Sequence, residues 1–179
     1  GGRQARILAH ADFVQGVAFN PRGGLIASVG NDDMLKFWKA NIAEDRLVLS
    51  GSPQRSTAES IAFSPDGNSL ACAGSSTSIS LWRLASGKPA QCLHGPQGDG
   101  ETGAVAWNGD GTRIAHGSGT QIAILDGATN RPVLRFEAYY FANLPQTMKS
   151  LSFRADGRFL LSLDVSHALQ MWDIVARKK

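Results

Sequence analysis

Residues 14–38 read VQGVAFNPRGGLIASVGNDDMLKFW, and the pattern of this stretch returns three more times along the 179 residues. Each unit contains an aromatic residue, a turn with glycine, a strand, and a further strand that ends in tryptophan in three of the four units. The aromatic residues are Phe19, Phe63, Trp107 and Phe153, which are 44, 44 and 46 residues apart. A period of about 40 to 50 residues built from short strands is typical of a β-propeller, in which each unit forms one sheet, or blade.

The turn of each unit has residue types that define its backbone conformation. Pro21 begins the turn in unit 1 and Pro65 begins it in unit 2, and proline presets φ at the first corner. Units 3 and 4 lack this proline, but every unit has a glycine two residues after that position, and glycine tolerates the left-handed conformation. We therefore expect positive φ at Gly23, Gly67, Gly111 and Gly157.

The strands of unit 1 follow from the alternation of its side chains. Val14, Gly16 and Ala18 are predicted on one face of the first strand, and Val17 and Phe19 on the other. Small residues suit the innermost strand of a blade, where neighbouring sheets are crowded. Later strands are predicted at residues 25–29, 34–38 and 46–49, then 70–73, 79–82 and 90–93, then 113–117, 122–125 and 133–136, and finally 159–163 and 169–172.

The other three units align with the first. They read ESIAFSPDGNSLACAGSSTSISLW from residue 59, GAVAWNGDGTRIAHGSGTQIAIL from residue 103 and KSLSFRADGRFLLSLDVSHALQMW from residue 149. Four such units in phase resemble the WD-repeat family over essentially the whole chain, although the literal Trp-Asp pair occurs only at Trp172 and Asp173. The resemblance implies an all-β fold, a WD-type β-propeller with four blades of four-stranded antiparallel sheet. It implies a single propeller domain over residues 1–179, with repeats at approximately 4–40, 41–84, 85–127 and 128–175.

The ends of the repeat indicate an incomplete ring. In this family the repeat is offset from the blade, so the fourth strand comes first in the repeat, and residues 4–9 (QARILA) resemble such a strand. The fourth unit ends after its third strand. We therefore predict that the four blades belong to a larger ring of seven or eight blades. A four-blade ring closed within one chain and a homodimer closing an eight-blade ring are the open alternatives, and an unclosed arc would expose two apolar blade faces.

A set of polar residues in unit 1 matches the buried hydrogen-bonded network of the family. The resemblance assigns this structural role to His10, Ser28, Asp32 and Trp38. Serine, histidine and aspartate also form catalytic triads, but a catalytic serine sits at an exposed turn beside an oxyanion hole, and Ser28 is predicted within a strand. The other units depart from the pattern, with Cys72 and Ser76 in unit 2, His116 and Leu125 in unit 3, and Ser166 in unit 4.

Long segments connect each fourth strand to the next first strand, at residues 51–59, 95–102 and 138–149, and in this fold they emerge on one face. Each contains a Pro-Gln pair, and the third also contains three consecutive aromatic residues. We interpret them as a partner-binding surface, whose candidate residues are Pro53, Gln54, Pro96, Gln97, Tyr139, Tyr140, Phe141, Pro145 and Gln146. The alternative is that the pairs are turn residues inherited by duplication and that the aromatics cover a blade or a neighbouring domain.

The family resemblance implies a protein-interaction scaffold or sensor module, which binds a protein partner or a neighbouring domain of the same chain within a larger multidomain protein. The alternative is a propeller-type hydrolase with a metal or charged cluster in its central channel. The inner strands offer no ligands for such a cluster, since their inward positions include Gly16, Ala18, Ala104, Ala106 and Ser152. The four histidines lack the short spacing of metal ligands. We therefore predict no enzymatic activity, no catalytic residues, no cofactor and no metal.

Composition narrows the function classes further. Charged residues make up 18% of the chain and the net charge is +3, so a basic surface for nucleic acid is not expected. No segment approaches about 20 consecutive apolar residues and no leader opens the sequence, so we expect a soluble protein without a membrane partner. Cys72 and Cys92 are predicted two strands apart, too far for a disulfide, so we expect free thiols in a reducing compartment, the cytoplasm.

Overall fold

The computed structural model describes residues 10–40, 47–51, 58–74, 78–84, 88–94, 103–138, 148–165 and 168–176. Across these ranges the chain forms fifteen strands in four antiparallel sheets, and the strands of each sheet follow one another in chain order. The all-β prediction is thus confirmed, and strand ends differ from the predicted ones by a few residues at most. None of the described ranges contains a helix with the length and hydrophobicity needed to cross a membrane. Residues 4–9, predicted as a leading strand, lie outside these ranges.

Each sheet is one blade, and the blades are numbered in chain order. Blade 1 consists of β1 (Val14–Phe19), β2 (Leu25–Gly30), β3 (Leu35–Lys39) and β4 (Leu47–Gly51). Blade 2 consists of β5 (Ala58–Phe63), β6 (Ser69–Gly74), β7 (Ser78–Arg83) and β8 (Lys88–His94). Blade 3 consists of β9 (Ala104–Trp107), β10 (Arg113–Ser118), β11 (Gln121–Asp126) and β12 (Pro132–Glu137). In its described part, blade 4 consists of β13 (Met148–Phe153), β14 (Phe159–Asp164) and β15 (Leu169–Asp173).

The four blades form a propeller-like arc. The first strand of each blade lies beside the first strand of the next, so that β1 contacts β5, β5 contacts β9 and β9 contacts β13. These strands form the inner side of the arc, and the fourth strands lie at the opposite edge of their sheets. The small residues of the first strands therefore occupy the inner position that the sequence predicts for them.

Apolar residues between successive blades form the three cores of the molecule. We call the side of a blade that faces the preceding blade its leading face, and the opposite side its trailing face. At the junction of blades 1 and 2, Phe63 and Trp82 on the leading face of blade 2 pack with Leu35 and Phe37 on the trailing face of blade 1. Equivalent residues form the other two cores, with Ala71, Ile79, Val105 and Ile114 between blades 2 and 3, and Ala115, Ile122, Leu151 and Leu160 between blades 3 and 4.

The turn glycines adopt the conformation expected from the sequence. The angle φ is +73° at Gly23, +64° at Gly67, +74° at Gly111 and +69° at Gly157. The turns also connect blades, because the side-chain amide of Asn20 in blade 1 donates to the carbonyl oxygen of Gly67 in blade 2 at 2.8 Å. The turn of blade 1 therefore holds blade 2 as well as joining its own two strands.

One prediction about the first strand is wrong. The sequence predicts Val14 on the same face as Gly16, but Val14 pairs with Gly30 whereas Gly16 pairs with Val29, so a β-bulge accommodates Gln15. The extra residue moves Val14 to the face opposite Gly16. The same irregularity begins the first strands of blades 2 and 4. It thus recurs in three of the four blades, since the first strand of blade 3 pairs without a shift, and the alternation of side chains does not reveal it.

The two cysteines lie on strands separated by β7. Cys72 on β6 is opposite Ser80, and Ser80 is opposite Cys92 on β8, as predicted. Cys72 is a free, buried thiol, and burial raises its pKa. The thiol of Cys72 is therefore protonated and contributes to the core as a small apolar group.

Candidate functional site

Four polar residues form a hydrogen-bonded chain on the leading face of blade 1. His10 lies just before β1, Ser28 lies within β2, Asp32 follows β2 and Trp38 lies within β3. The indole Nε1 of Trp38 donates to Ser28 Oγ at 2.8 Å, and Ser28 Oγ lies 2.7 Å from Nε2 of His10. On the other side of the ring, His10 Nδ1 lies 2.7 Å from Asp32 Oδ1. The structure therefore brings together the four residues that the family resemblance assigns to this network.

Asp32 lies at the end of this hydrogen-bonded network, and its carboxylate accepts hydrogen bonds from several donors. It accepts from the backbone N–H groups of Ala11 at 3.0 Å and Met34 at 3.2 Å, and it forms an ion pair with Lys36 Nζ at 3.0 Å. Desolvation raises the pKa of Asp32, but the bonds that its oxygens accept lower it more, so the pKa lies well below its usual range. Asp32 is therefore a carboxylate at neutral pH, and Nδ1 of His10 donates to it.

The geometry of this network fits a structural clamp. In the tautomer that carries its proton on Nδ1, Nε2 of His10 accepts the hydroxyl proton of Ser28, while the same oxygen accepts from Trp38. Ser28 is buried in the middle of a strand, and both of its partners are fixed. A catalytic serine needs an oxygen that can reach a substrate. The network instead fastens the chain at His10 and Ala11 to the leading face of blade 1.

The equivalent residues of blades 2 and 4 make fewer hydrogen bonds than the network of blade 1. In blade 4, Trp172 Nε1 donates to Ser162 Oγ at 2.9 Å. In blade 2 the serine is replaced by Cys72, and Nε1 of Trp82 is buried without a hydrogen-bond partner in the described part of the chain. Ser76 and Ser166, which the sequence aligns with Asp32, lie outside the described residues. Packing therefore contributes more to these junctions than the polar network does.

Blade 3 places a histidine at this position. Both ring nitrogens of His116 are buried, and neither has a hydrogen-bond partner within the described ranges. Burial, together with the positive charge of Arg135, lowers the pKa of His116 to about 4. His116 is therefore neutral at physiological pH. The described residues contain no group of three or more His, Cys, Asp or Glu side chains that could hold a metal ion.

The two ends of the arc present apolar faces to solvent. On the leading face of blade 1, Val17 and Phe19 are 66% and 69% exposed. On the trailing face of blade 4, four large side chains are exposed, those of Leu161, Leu163, Leu169 and Met171. The sequence predicts two such faces for an unclosed arc, but it does not single out these residues. Alignment of each residue with its buried counterparts in the other repeats is the signal that could have identified them.

All nine candidate residues of the long loops, from Pro53 to Gln146, lie outside the described residues. The strands on either side of these segments are described: β4, β8 and β12 end before them, and β5, β9 and β13 begin after them. Successive antiparallel strands alternate in direction, so these strand ends lie at one rim of the arc, which we call the loop rim. The three candidate segments are attached to this rim.

The opposite rim, which we call the turn rim, consists of the turns between first and second strands and between third and fourth strands. A cleft of about 450 Å³ lies there between blades 2 and 3, and its lining includes Asp66, Arg83, Trp107 and Asp110. Both carboxylates accept hydrogen bonds within their own turns, and these bonds lower their pKa values. The carboxylates of this cleft therefore stabilise its turns.

Comparison with models of protein families identifies two segments of the chain. Residues 2–39 and 44–83 each match the family model for the WD domain, G-beta repeat. No curated protein matches the chain. The first matched segment contains all four residues of the blade 1 network, and both segments contain the turn that begins with proline.

Proposed function

Because two segments of this chain match the WD domain, G-beta repeat, and such repeats generally mediate protein–protein interactions, we propose that it is a WD-repeat protein-interaction scaffold or sensor module. Its partner binds through the loops of the loop rim, and the chain functions within a larger multidomain protein. WD-repeat proteins are typically scaffolds without enzymatic activity. The proposed location is the cytoplasm, in keeping with the free thiol of Cys72.

The observation that supports this proposal is the difference between the two rims. At the turn rim, polar side chains bond within their own turns: Asp66 accepts from Ser64 and Asn68, and Asp156 pairs with Arg154. The hydrogen bonds within the turns thereby engage the carboxylates of this rim. At the loop rim, the connections from β4 to β5, from β8 to β9 and from β12 to β13 have six, nine and ten residues, whereas each turn between a first and a second strand has five. Loops held by a rigid scaffold are the usual place for binding residues.

The described residues do not support the alternative of a hydrolase with a site in the central channel. The inner strands carry small side chains such as Ala104 and Ala106, which are buried between blades 3 and 4. The polar network of blade 1 lies on a blade face and is occupied by its own bonds. No described group of side chains therefore resembles a catalytic or metal site.

Simultaneous substitution of Tyr139, Tyr140 and Phe141 by serine tests the proposal. The unaltered chain, immobilised and exposed to a lysate of its source cells, should retain a defined protein in stoichiometric amount. The triple variant should retain at least about tenfold less, because aromatic residues at the centre of an interface contribute most of its binding energy. Quantitative mass spectrometry of the retained proteins measures the ratio.

Val133→Ser is the matched control, because Val133 is a half-exposed apolar residue of the preceding strand, β12, and is not part of the loop. It should leave the retained protein unchanged, and the melting temperatures of all variants should agree within a few degrees. Unchanged retention by the triple variant, or equal loss in the control, would contradict binding through the loop rim.

A further inference from the structure

The two rims of the arc differ in charge. The turns between second and third strands also open at the loop rim, because successive strands of a blade alternate in direction. The described residues of the loop rim include six acidic and two basic ones, whereas those of the turn rim include five acidic and eight basic ones. The loop rim is therefore negatively charged in a chain whose net charge is +3. Its acidic residues are Asp12, Asp32, Asp33, Glu59, Glu137 and Asp164.

At blade 1 the segment before β1 lies against the turn between β2 and β3. The backbone N–H of Ala11 donates to the carboxylate of Asp32 at 3.0 Å, and the N–H of Asn31 donates to the carbonyl oxygen of Phe13 at 2.9 Å. The two stretches are thus bonded to each other at the loop rim, and the side chains of both form one surface there.

An aromatic side chain is exposed on this surface. Phe13 is 78% exposed, the largest fraction among the large apolar side chains described. The residues at the same place, before the first strands of blades 2 and 4, are Thr57 and Thr147. The end-face residue Phe19 has apolar counterparts in every other repeat, but Phe13 has these polar ones. The exposure of Phe13 therefore differs in origin from that of an end face, and an exposed aromatic residue of this kind indicates a contact surface.

Two carboxylates accompany Phe13. Asp12 and Asp33 are both exposed, and neither forms an ion pair within the described part of the chain. On the turn rim, by contrast, Asp156 and Asp173 each form an ion pair with an arginine. The negative charge beside Phe13 is therefore available to a cation from outside the chain.

We propose that Asp12, Phe13 and Asp33, the blade 1 patch, bind a basic segment of the protein partner, one that presents lysine or arginine. The inference rests on the proposed function, because it takes the loop rim as the binding side and adds the chemistry of the partner. The carboxylates pair with the cation, and the ring of Phe13 attracts the same cation and packs on its methylene groups. An acidic segment would meet like charges along the whole rim.

The polar network of blade 1 holds this patch in place. The ring of His10 bonds to Ser28 and Asp32, and it fixes the chain two residues before Asp12. The patch is thereby ordered before the partner arrives, so binding costs little conformational entropy. The network thus acts in binding through the position that it gives to Phe13 and its neighbours.

An NMR titration of the isotope-labelled full chain with the peptide acetyl-Gly-Lys-Arg-Gly-amide tests this proposal. The amide signals of the blade 1 patch should shift in a saturable way, and the peptide with glutamate in place of lysine and arginine should cause no such shift. Asp12→Asn, Phe13→Ser and Asp33→Asn should each weaken binding of the basic peptide roughly threefold, because each removes one exposed ion pair or cation–π contact. The amide spectrum of each variant establishes that it is folded.

Glu137→Gln is the matched control. Glu137 is an exposed carboxylate at the end of β12, on the same rim but in blade 3, and its replacement changes the net charge as much as either aspartate variant does. It should leave binding of the basic peptide unchanged. Equal weakening by Glu137→Gln would mean that the attraction is diffuse and would overturn the proposal. Shifts confined to other residues, or equal binding of the acidic peptide, would also overturn it.

The outcome is distinguishable from a failure of the proposed function, because the peptide titration does not depend on residues 139–141. If the patch binds the basic peptide but the triple loop variant retains its lysate protein, only binding through the long loops is contradicted. If the triple variant loses its lysate protein but the patch binds no basic peptide, only the inference about the patch is contradicted.

Discussion

Phe19 and Phe63 have the same place in their repeats but opposite surroundings. Phe63 is 8% exposed at the junction of blades 1 and 2, whereas Phe19 is 69% exposed at the leading end of the arc. The sequences around them, VAFNP and IAFSP, differ little. In a repeat fold each unit contacts only its neighbours, so the burial of a residue depends on whether the neighbouring blade is present.

The trailing faces differ in their sequences as well as in their surroundings. Ala27, Ala71 and Ala115 share a place on the second strand, and all three are fully buried. In blade 4 the same place is taken by Leu161, which is exposed. Alanine at this place lets the next blade approach closely, and leucine does not. The trailing face of blade 4 therefore differs in shape from the trailing faces inside the arc.

The largest effect is expected when leucine is replaced by alanine at a buried place inside the arc and at the equivalent exposed place at its end. Leu35→Ala removes a fully buried side chain and should lower the free energy of unfolding by about 4 kcal/mol, because it leaves a cavity between blades 1 and 2. Leu169→Ala, at the equivalent exposed place, should change it by about 0.5 kcal/mol or less. Urea denaturation of the two variants measures both values. If both substitutions are equally damaging, then the trailing face of blade 4 is covered in solution as that of blade 1 is.

A somewhat smaller effect, which depends on pH, is expected inside the junction of blades 2 and 3. His116 is buried there, and burial with the charge of Arg135 lowers its pKa from 6.5 to about 4. Below about pH 6.5 the unfolded chain takes up a proton at His116 that the folded chain does not. The free energy of unfolding should therefore fall progressively as the pH drops from about 6.5 to about 4, by about 3 kcal/mol in total.

His116→Leu is the control for this prediction, because leucine is similar in size and does not titrate. The aspartates whose pKa values are lowered, such as Asp66 and Asp110, remain in both proteins and titrate at lower pH. The difference between the urea denaturation curves of the two proteins, followed from neutral pH to about pH 4, isolates His116. If the free energy of unfolding depended on pH in the same way in both proteins, the junction would accommodate a charged histidine, as an exposed end face would.

Most of the fold could be predicted because strands and turns follow from local residue types. Gly67, for example, follows Pro65 and Asp66 in a turn that requires positive φ, and it has that conformation. The bulge at Gln15 could not be predicted in this way. An extra residue in one strand shows only in the pairing with its neighbour, and the alternation of apolar residues is the same with or without it.

The candidate site could be predicted only in part. The network from His10 to Trp38 follows from the family pattern, since its members have fixed places in the repeat. The isolation of His116 does not, because a hydrogen-bond partner can come from any distant part of the chain. Leu169 and Met171 alternate with polar residues just as Ile79 and Leu81 do, yet only the second pair is buried. The residues of the long loops stay predictions.

The smallest effect is expected at the turn glycines. One of them lies inside the arc, in blade 2, and the other lies in blade 1 at its end. Gly67 and Gly23 have φ of +64° and +73°, so alanine at either place costs about 1 kcal/mol in backbone strain. A Cβ at Gly23 meets no atom within 4 Å, whereas a Cβ at Gly67 collides with Oδ1 of Asn20 and approaches the flexible side chain of Arg22. Asn20 is fixed between the blades, since Oδ1 accepts from the N–H of Arg22 and Nδ2 donates to the carbonyl of Gly67.

Gly67→Ala should therefore destabilise the dilute chain by about 1 kcal/mol more than Gly23→Ala, because Asn20 has to break a hydrogen bond to move away. Urea denaturation of the two variants measures the difference. In an Asn20→Ala background the collision is absent, so the two substitutions should become equal. A difference that persists there would assign the extra cost to the turn of blade 2 itself. Equal costs in the unaltered chain would mean that the turns do not couple neighbouring blades, and that interior and end positions differ through their apolar cores alone.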